Sequence, residues 1–157
     1  MLAYIGLGSN LKGPKEQIEK ALRVLSKAKE STLLSVSSFY QSKPLLDMPG
    51  PNYLNVVCKI ETDLSALDLL NFCQEIEDNQ HRVREVKWAS RTSDLDILLY
   101  GDQVLATKRL TIPHPEMISR AFVLLPLFEI DPGIILPLLG PLKGLLERIE
   151  PSDVEKL

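Results

Sequence analysis

Asp94-Leu95-Asp96 sets two carboxylates in a segment that alternates polar and apolar, then runs on through Ile97, Leu98, Leu99 and Tyr100. That pattern predicts a strand entering a core. Successive side chains on a strand point to opposite faces, so Asp94 and Asp96 share one face while Leu95 and Ile97 take the other. Two carboxylates side by side, with no lysine between them, repel each other unless a cation lies between. Hard divalent ions such as Mg²⁺ are held by one or two carboxylates together with substrate phosphates. Just upstream stand Arg82, Arg84, Lys87 and Arg91, offset only by Glu85. A metal-holding pair beside a basic loop is what polyphosphate chemistry needs. The same residue types would also suit a solvated loop followed by an edge strand whose acids face water.

Other chemistry-bearing patterns are fewer. The sequence contains no G-x-x-x-x-G-K-S/T loop, so any phosphates must be held by side chains and metal. Gly6-Leu7-Gly8-Ser9-Asn10 starts like a dinucleotide-binding G-x-G-x-x-G, but Leu11 breaks it. Its glycines are read as permitting a tight strand-to-helix turn. His114 lies between Pro113 and Pro115, which hold it on a rigid turn. Cys58 and Cys73 sit in apolar-patterned segments without metal-ligand spacing and read as reduced core residues.

The elements that must position these groups follow from periodicity. Leu2 to Gly8 reads as a short strand. Pro14 suits a first helical position, and Ile18, Ala21, Leu22, Leu25 and Ala28 keep helical spacing behind it. Thr32 to Gln41 reads as one strand, and the proline-rich stretch 42–52 as a long, functional loop. Along the strand Tyr53 to Thr62, the residues Leu54, Val56, Cys58 and Ile60 share one face; Tyr53, Asn55, Val57 and Lys59 share the other. Ser65 and Asp68 resemble a capping box. The helix behind them buries Ala66, Leu69, Leu70, Cys73 and Ile76, and stacks Gln74, Glu77 and His81 along a different face. With the strand 94–100, the order is βαββαβ. That predicts an α+β, ferredoxin-like core: an antiparallel sheet with both helices on one face. Short β pieces follow at 104–105 and 109–112. A helix over 123–130 contains Pro126 and stops at Asp131-Pro132-Gly133, and a last helix covers 142–149. The tail 151–157 reads as mobile.

Bulk properties bound the rest. The 157 residues suit a single domain, 1–157, with a real core. A net charge of −3 argues against a nucleic-acid partner, so the basic loop is local. No apolar run has membrane-spanning length, and Met1 to Ile5 lacks the basic start of a signal peptide, which predicts a cytoplasmic protein with no membrane partner.

Residues 87–98, K-x-A-S-R-x-x-D-L-D-I-L, resemble the signature of the 6-hydroxymethyl-7,8-dihydropterin pyrophosphokinase family of folate biosynthesis. The resemblance extends through Gly8-Ser9-Asn10, Tyr53-Leu54-Asn55, Gln74 and Glu77, Arg82-x-Arg84, Arg109-x-Thr111, Pro113-His114 and Arg120-x-Phe122. It implies a ferredoxin-like core with a C-terminal extension of short strands and helices. It also implies transfer of a pyrophosphoryl group from ATP to the hydroxymethyl oxygen of the pterin, with AMP leaving.

By resemblance, Asp94 and Asp96 are ligands of two Mg²⁺ ions that bridge the phosphates. Arg82 and Arg91 are catalytic, and the ATP contacts are Gln74, Glu77, Arg84, Trp88, Arg91, Ile97, Arg109, Thr111, His114 and Arg120. The pterin contacts are Ser42, Lys43, Leu45, Tyr53, Asn55 and Phe122. Tyr53 and Asn55, two apart on a strand, can offer a stacking surface and an in-plane amide to a flat heterocycle. Trp88 sits in a loop that closes over bound substrates in the family, and a monomer is expected. Lys87, Lys43, Leu46 and Pro115 depart from residues common at those family positions. Two other functions use the same features: a non-catalytic ferredoxin-like regulatory module, against which the carboxylate pair and its basic neighbours argue, and another Mg²⁺-dependent nucleotide transferase.

Overall fold

β1 (Leu2–Ser9) runs through the middle of the sheet, and its backbone is paired on both sides. On one side lies β4 (Tyr53–Thr62) and on the other β5 (Asp94–Tyr100), both antiparallel. The computed structural model describes residues 1–10, 13–42, 52–81, 94–149 and 154–157. β4 also pairs with β2 (Ser31–Val36) and β3 (Tyr40–Ser42), so the core is the expected βαββαβ arrangement with its second strand in two parts.

That division corrects the single strand expected over 32–41. Val36 faces Cys58 and Tyr40 faces Asn55, so the chain carries one residue more than β4 between those pairs. Ser37 takes up the mismatch: its N–H donates to the Val57 carbonyl at 2.9 Å, and its Oγ accepts the Val57 N–H at 3.0 Å. A serine hydroxyl replaces a ladder bond there, and alternation alone carries no sign of it.

Helices α1 (Pro14–Lys27) and α2 (Ala66–His81) cover one face of the sheet. Gly13, at φ 71°, makes the left-handed turn into α1, with Pro14 at its first position. The tight turn therefore belongs to Gly13, while Gly6 and Gly8 stand inside β1. Ser65 caps α2 by accepting the Asp68 N–H at 3.1 Å. Ile18, Leu25 and Leu69 are fully buried between helices and sheet; truncating one such leucine to alanine typically costs about 2–5 kcal/mol.

The opposite face is covered as well. α3 (Ala121–Ile130) and α4 (Leu142–Arg148) pack Leu124, Leu127 and Leu142 onto Tyr4, Val57 and Leu98. Short hairpins precede and separate them: β6 (Leu105–Ala106) with β7 (Thr111–Ile112), and β8 (Ile135–Leu136) with β9 (Gly140–Pro141). Val57 is consequently buried like Val56 and Cys58, although alternation gave them opposite faces.

The C-terminal residues also differ from expectation. β10 (Val154–Lys156) pairs with the outer edge of β3, and the Leu157 N–H donates to the Phe39 carbonyl at 2.9 Å. β3 would otherwise present unpaired backbone groups at the sheet edge, and β10 satisfies them. No helix among the described residues is long and apolar enough to cross a membrane.

Candidate active site

Asp94 and Asp96 share a sheet face with Tyr53 and Asn55, and two glycines separate the pairs. Across the strands Asn55 faces Gly8 and Gly8 faces Asp94; one row along, Val57 faces Gly6 and Gly6 faces Asp96. With no side chains on β1 at those rows, a trough opens between β4 and β5. A Cβ on Gly8 would lie 3.0 Å from Asn55 Oδ1, and one on Gly6 would lie 3.5 Å from Leu98 side-chain carbons. The trough is the floor of a cavity of about 150 Å³.

One end of the cavity is suited to a flat polar ring. Asn55 is 5% exposed, and its Nδ2 donates to Ser42 Oγ at 2.9 Å and to the Tyr40 carbonyl at 3.4 Å. These bonds hold the amide in one orientation beside Gly8. Tyr53 and Ser42 line the same end, and Phe122, in the first turn of α3, stands on the wall. The Arg120 guanidinium lies 5.5 Å from the Phe122 ring centre and forms an ion pair with Glu116.

The other end is ionic. Asp94 and Asp96 stand there on β5, with His114 tied to the same strand, and Arg120 lines the same cavity beside Phe122. A bulge in β5 places His114. Tyr4 faces Leu99 and Ile5 faces Ile97, which leaves Leu98 without a partner on β1, and the Leu98 carbonyl accepts the His114 N–H at 3.0 Å. The ring's Nδ1 accepts the Glu116 N–H at 3.2 Å, so in the neutral ring the proton sits on Nε2. Among the described residues no group of three or more His, Cys, Asp or Glu side chains converges on one point. The carboxylate pair is an all-oxygen donor set that leaves most of a cation's coordination to other oxygens. That suits Mg²⁺ shared with phosphates better than a metal caged by protein.

The remaining expected residues divide into three groups. Arg109 Nη2 donates to Asn71 Oδ1 at 2.6 Å and to Gln74 Oε1 at 3.3 Å, which brings Arg109 and Gln74 together on the surface of α2. Thr111 is exposed on β7, and Glu77 is half-buried on α2; none of these four lines the cavity. Ile97 is 2% exposed in the core beneath the helices, on the face away from the carboxylates, as alternation requires. Lys43, Leu45, Arg82, Arg84, Trp88 and Arg91 lie outside the described residues, as do the expected closing loop and most of the 42–52 loop.

Burial holds the Cys58 thiol up at about 12. Cys73 is raised too, first by burial and then by neighbouring Cys58, Glu77 and Asp96. Neither thiol can act as a nucleophile near neutral pH. Sequence reasoning missed Gly6 and Gly8 as the cavity floor and Glu116 as the partner of Arg120. A helical i,i+4 spacing was the available signal for Glu116.

Residues 4–132 match the family of 7,8-dihydro-6-hydroxymethylpterin-pyrophosphokinase (HPPK). The chain belongs to this family. It is 53% identical over 135 residues to the 2-amino-4-hydroxy-6-hydroxymethyldihydropteridine pyrophosphokinase of Haemophilus influenzae, covering 86% of this chain and 84% of that one. It is 44% identical over 154 residues to the protein of the same name from Pseudomonas aeruginosa, covering 98% and 95%. The HPPK fold recurs in the crystal structure of wild-type Plasmodium falciparum HPPK-DHPS with pteroate, at a TM-score of 0.75 and 13% identity. That likeness covers 94% of this chain and 42% of the Plasmodium chain, so this chain spans less than half of the longer protein.

Proposed function

We propose that this chain transfers a pyrophosphoryl group from ATP to the hydroxymethyl group of 6-hydroxymethyl-7,8-dihydropterin, giving the pterin diphosphate and AMP in folate biosynthesis. The observation that carries the reading is one cavity with an oriented amide and aromatic rings at one end and two carboxylates at the other. Membership of the HPPK family supports the same reaction.

The chain contributes positioning and charge. Asn55 hydrogen-bonds the edge of the pterin, while Tyr53 and Phe122 offer ring surfaces. The Ser42 hydroxyl fixes the Asn55 amide, and Lys43 and Leu45 extend the pterin contacts. Held this way, the hydroxymethyl oxygen points along the trough toward Asp94 and Asp96. It attacks the β-phosphorus of ATP, the bond to the α-phosphate oxygen breaks, and AMP leaves. Asp94 and Asp96 would hold two Mg²⁺ ions, which would supply charge neutralisation at the phosphates. Arg82, Arg91 and Arg120 place guanidinium groups on the phosphate oxygens, where charge develops. Gln74, Glu77, Arg84, Trp88, Arg109, Thr111 and His114 complete the nucleotide site, together with Ile97 through its main chain, since its side chain lies in the core. Residues 1–157 act as one pyrophosphokinase domain, a cytoplasmic monomer with no nucleic-acid or membrane partner.

The test is the identity of the nucleotide product. The protein is incubated with ATP, Mg²⁺ and the dihydropterin alcohol, and nucleotides are separated by chromatography. AMP in step with pterin consumption is expected. ADP, or free pyrophosphate with unchanged pterin, would overturn the reading.

A further inference from the structure

Glu129, in the last turn of α3, lies outside the cavity yet is bound to the strand that carries the cavity's edge. Its Oε1 accepts the Tyr40 hydroxyl at 2.7 Å; its Oε2 accepts the Ser38 N–H at 2.9 Å and the Ser38 hydroxyl at 3.0 Å. Tyr40 is the direct cross-strand partner of Asn55, and its carbonyl accepts from the Asn55 amide. On its outer side Tyr40 faces Lys156 of β10, whose Nζ lies 3.9 Å from Glu129 Oε1. The same helix that ends at Glu129 begins with Phe122 on the cavity wall. One carboxylate therefore ties together the two elements that enclose the pterin end: the helix bearing the aromatic ring and the strand bearing the amide's support.

We propose that Glu129 is a positioning residue for the pterin pocket, acting through Tyr40 to fix Asn55 and Ser42 relative to Phe122. The inference rests on the pyrophosphokinase reading of the cavity. The geometry distinguishes it from general packing. Tyr40 is 6% exposed, and among the described residues Glu129 makes three hydrogen bonds, all to residues 38–40, beside its ion pair with Lys156 of β10, so its loss acts first on the strand that supports Asn55. Neither residue touches the carboxylate end, so a change at either should leave ATP binding alone.

The test compares the wild-type chain with Tyr40→Phe, which removes only the hydroxyl, and with Glu129→Gln, which keeps the side chain's size. Pterin affinity is measured by calorimetric titration well below each Tm, with a non-hydrolysable ATP analogue and Mg²⁺ present. Affinity for the analogue is measured alone, and kcat and the KM for each substrate are determined. The expected result is a pterin Kd and KM raised about three- to tenfold, the range one hydrogen bond's net contribution converts to, with analogue affinity and kcat little changed. Unchanged pterin affinity in both variants, with Tm lowered, would make Glu129 a purely structural residue and overturn the proposal. An equal loss for pterin and nucleotide would overturn it too. A wild-type chain that binds no pterin would instead refute the reaction on which the proposal rests.

Discussion

Asn55 and Asp94 stand on one cross-strand row with only Gly8 between them. Neighbouring strands are about 4.8 Å apart, so the two side chains rise from the sheet roughly 10 Å from each other. That interval can hold a bicyclic ring pointing its substituent at a phosphate chain. The row links the recognition end and the ionic end through backbone pairing, without a flexible loop. A reacting oxygen held on such a frame gains the advantage of a fixed approach, which can contribute several kcal/mol to a barrier.

Removing either carboxylate of the pair should nearly abolish turnover. The loss in Asp94→Ala or Asp96→Ala is expected to be several kcal/mol of transition-state stabilisation. Folding should survive, because both side chains line the cavity and are only half-buried. AMP formation and thermal unfolding of each variant check this. Near-normal turnover in Asp96→Ala would remove the pair from the mechanism.

Phe122→Ala should weaken pterin binding by about 1–3 kcal/mol, the scale of aromatic stacking on a base, with ATP binding little changed. Asn55→Ala should cost at least as much, because it strands polar edges of a buried ligand. It should also lower Tm, since the Asn55 amide bonds both Ser42 and the Tyr40 carbonyl. Calorimetric titration separates the two effects. Unaltered affinity in both variants would place the pocket elsewhere.

Gly8→Ala tests the trough. A methyl group there meets Asn55 Oδ1 at 3.0 Å, closer than an ordinary contact, so the amide must shift by a few tenths of an ångström. Pterin affinity should fall by about 1 kcal/mol or more, the worth of a misplaced hydrogen bond, with smaller effects on the nucleotide. Wild-type pterin affinity in this variant would show that the floor is not used.

Stability should depend on Glu129 in a defined pH range. Burial raises its carboxyl, but hydrogen bonds from Tyr40 and Ser38, with the charge of Lys156, outweigh that and hold it below its usual 4.5. A group with a depressed folded-state pKa stabilises fully above its unfolded value and loses that contribution as pH falls through the folded value. The Tm gap between wild type and Glu129→Gln should therefore be constant near neutrality and shrink as pH drops below about 4.5. A gap that does not change with pH would contradict the assignment.

What the sequence made legible was whatever depends on local period and residue type. The shared face of Asp94 and Asp96, that of Tyr53 and Asn55, the Ser65 cap and the βαββαβ order all follow from spacing, and all stand in the structure. What it hid depends on pairing between distant segments. The bulge at Leu98 exists because β5 carries one residue more than β1 at that point, and His114 hangs from the carbonyl it releases. Gly6 and Gly8 read as turn residues because nothing local says that side chains from two other strands flank them. Val154 to Lys156 read as a tail because their partner, β3, lies more than a hundred residues away. Glu129 likewise looks like any surface glutamate until α3 is laid across β3.

The central claim is that the cavity transfers a pyrophosphoryl group, breaking the bond between the α- and β-phosphates. The most direct measurement follows ATP carrying separate isotopic labels in the β- and γ-phosphates through a single turnover with Mg²⁺ and the dihydropterin alcohol. Both labels should appear together on the pterin, leaving unlabelled AMP. A γ-label alone on the pterin, with the β-label retained in ADP, would contradict it.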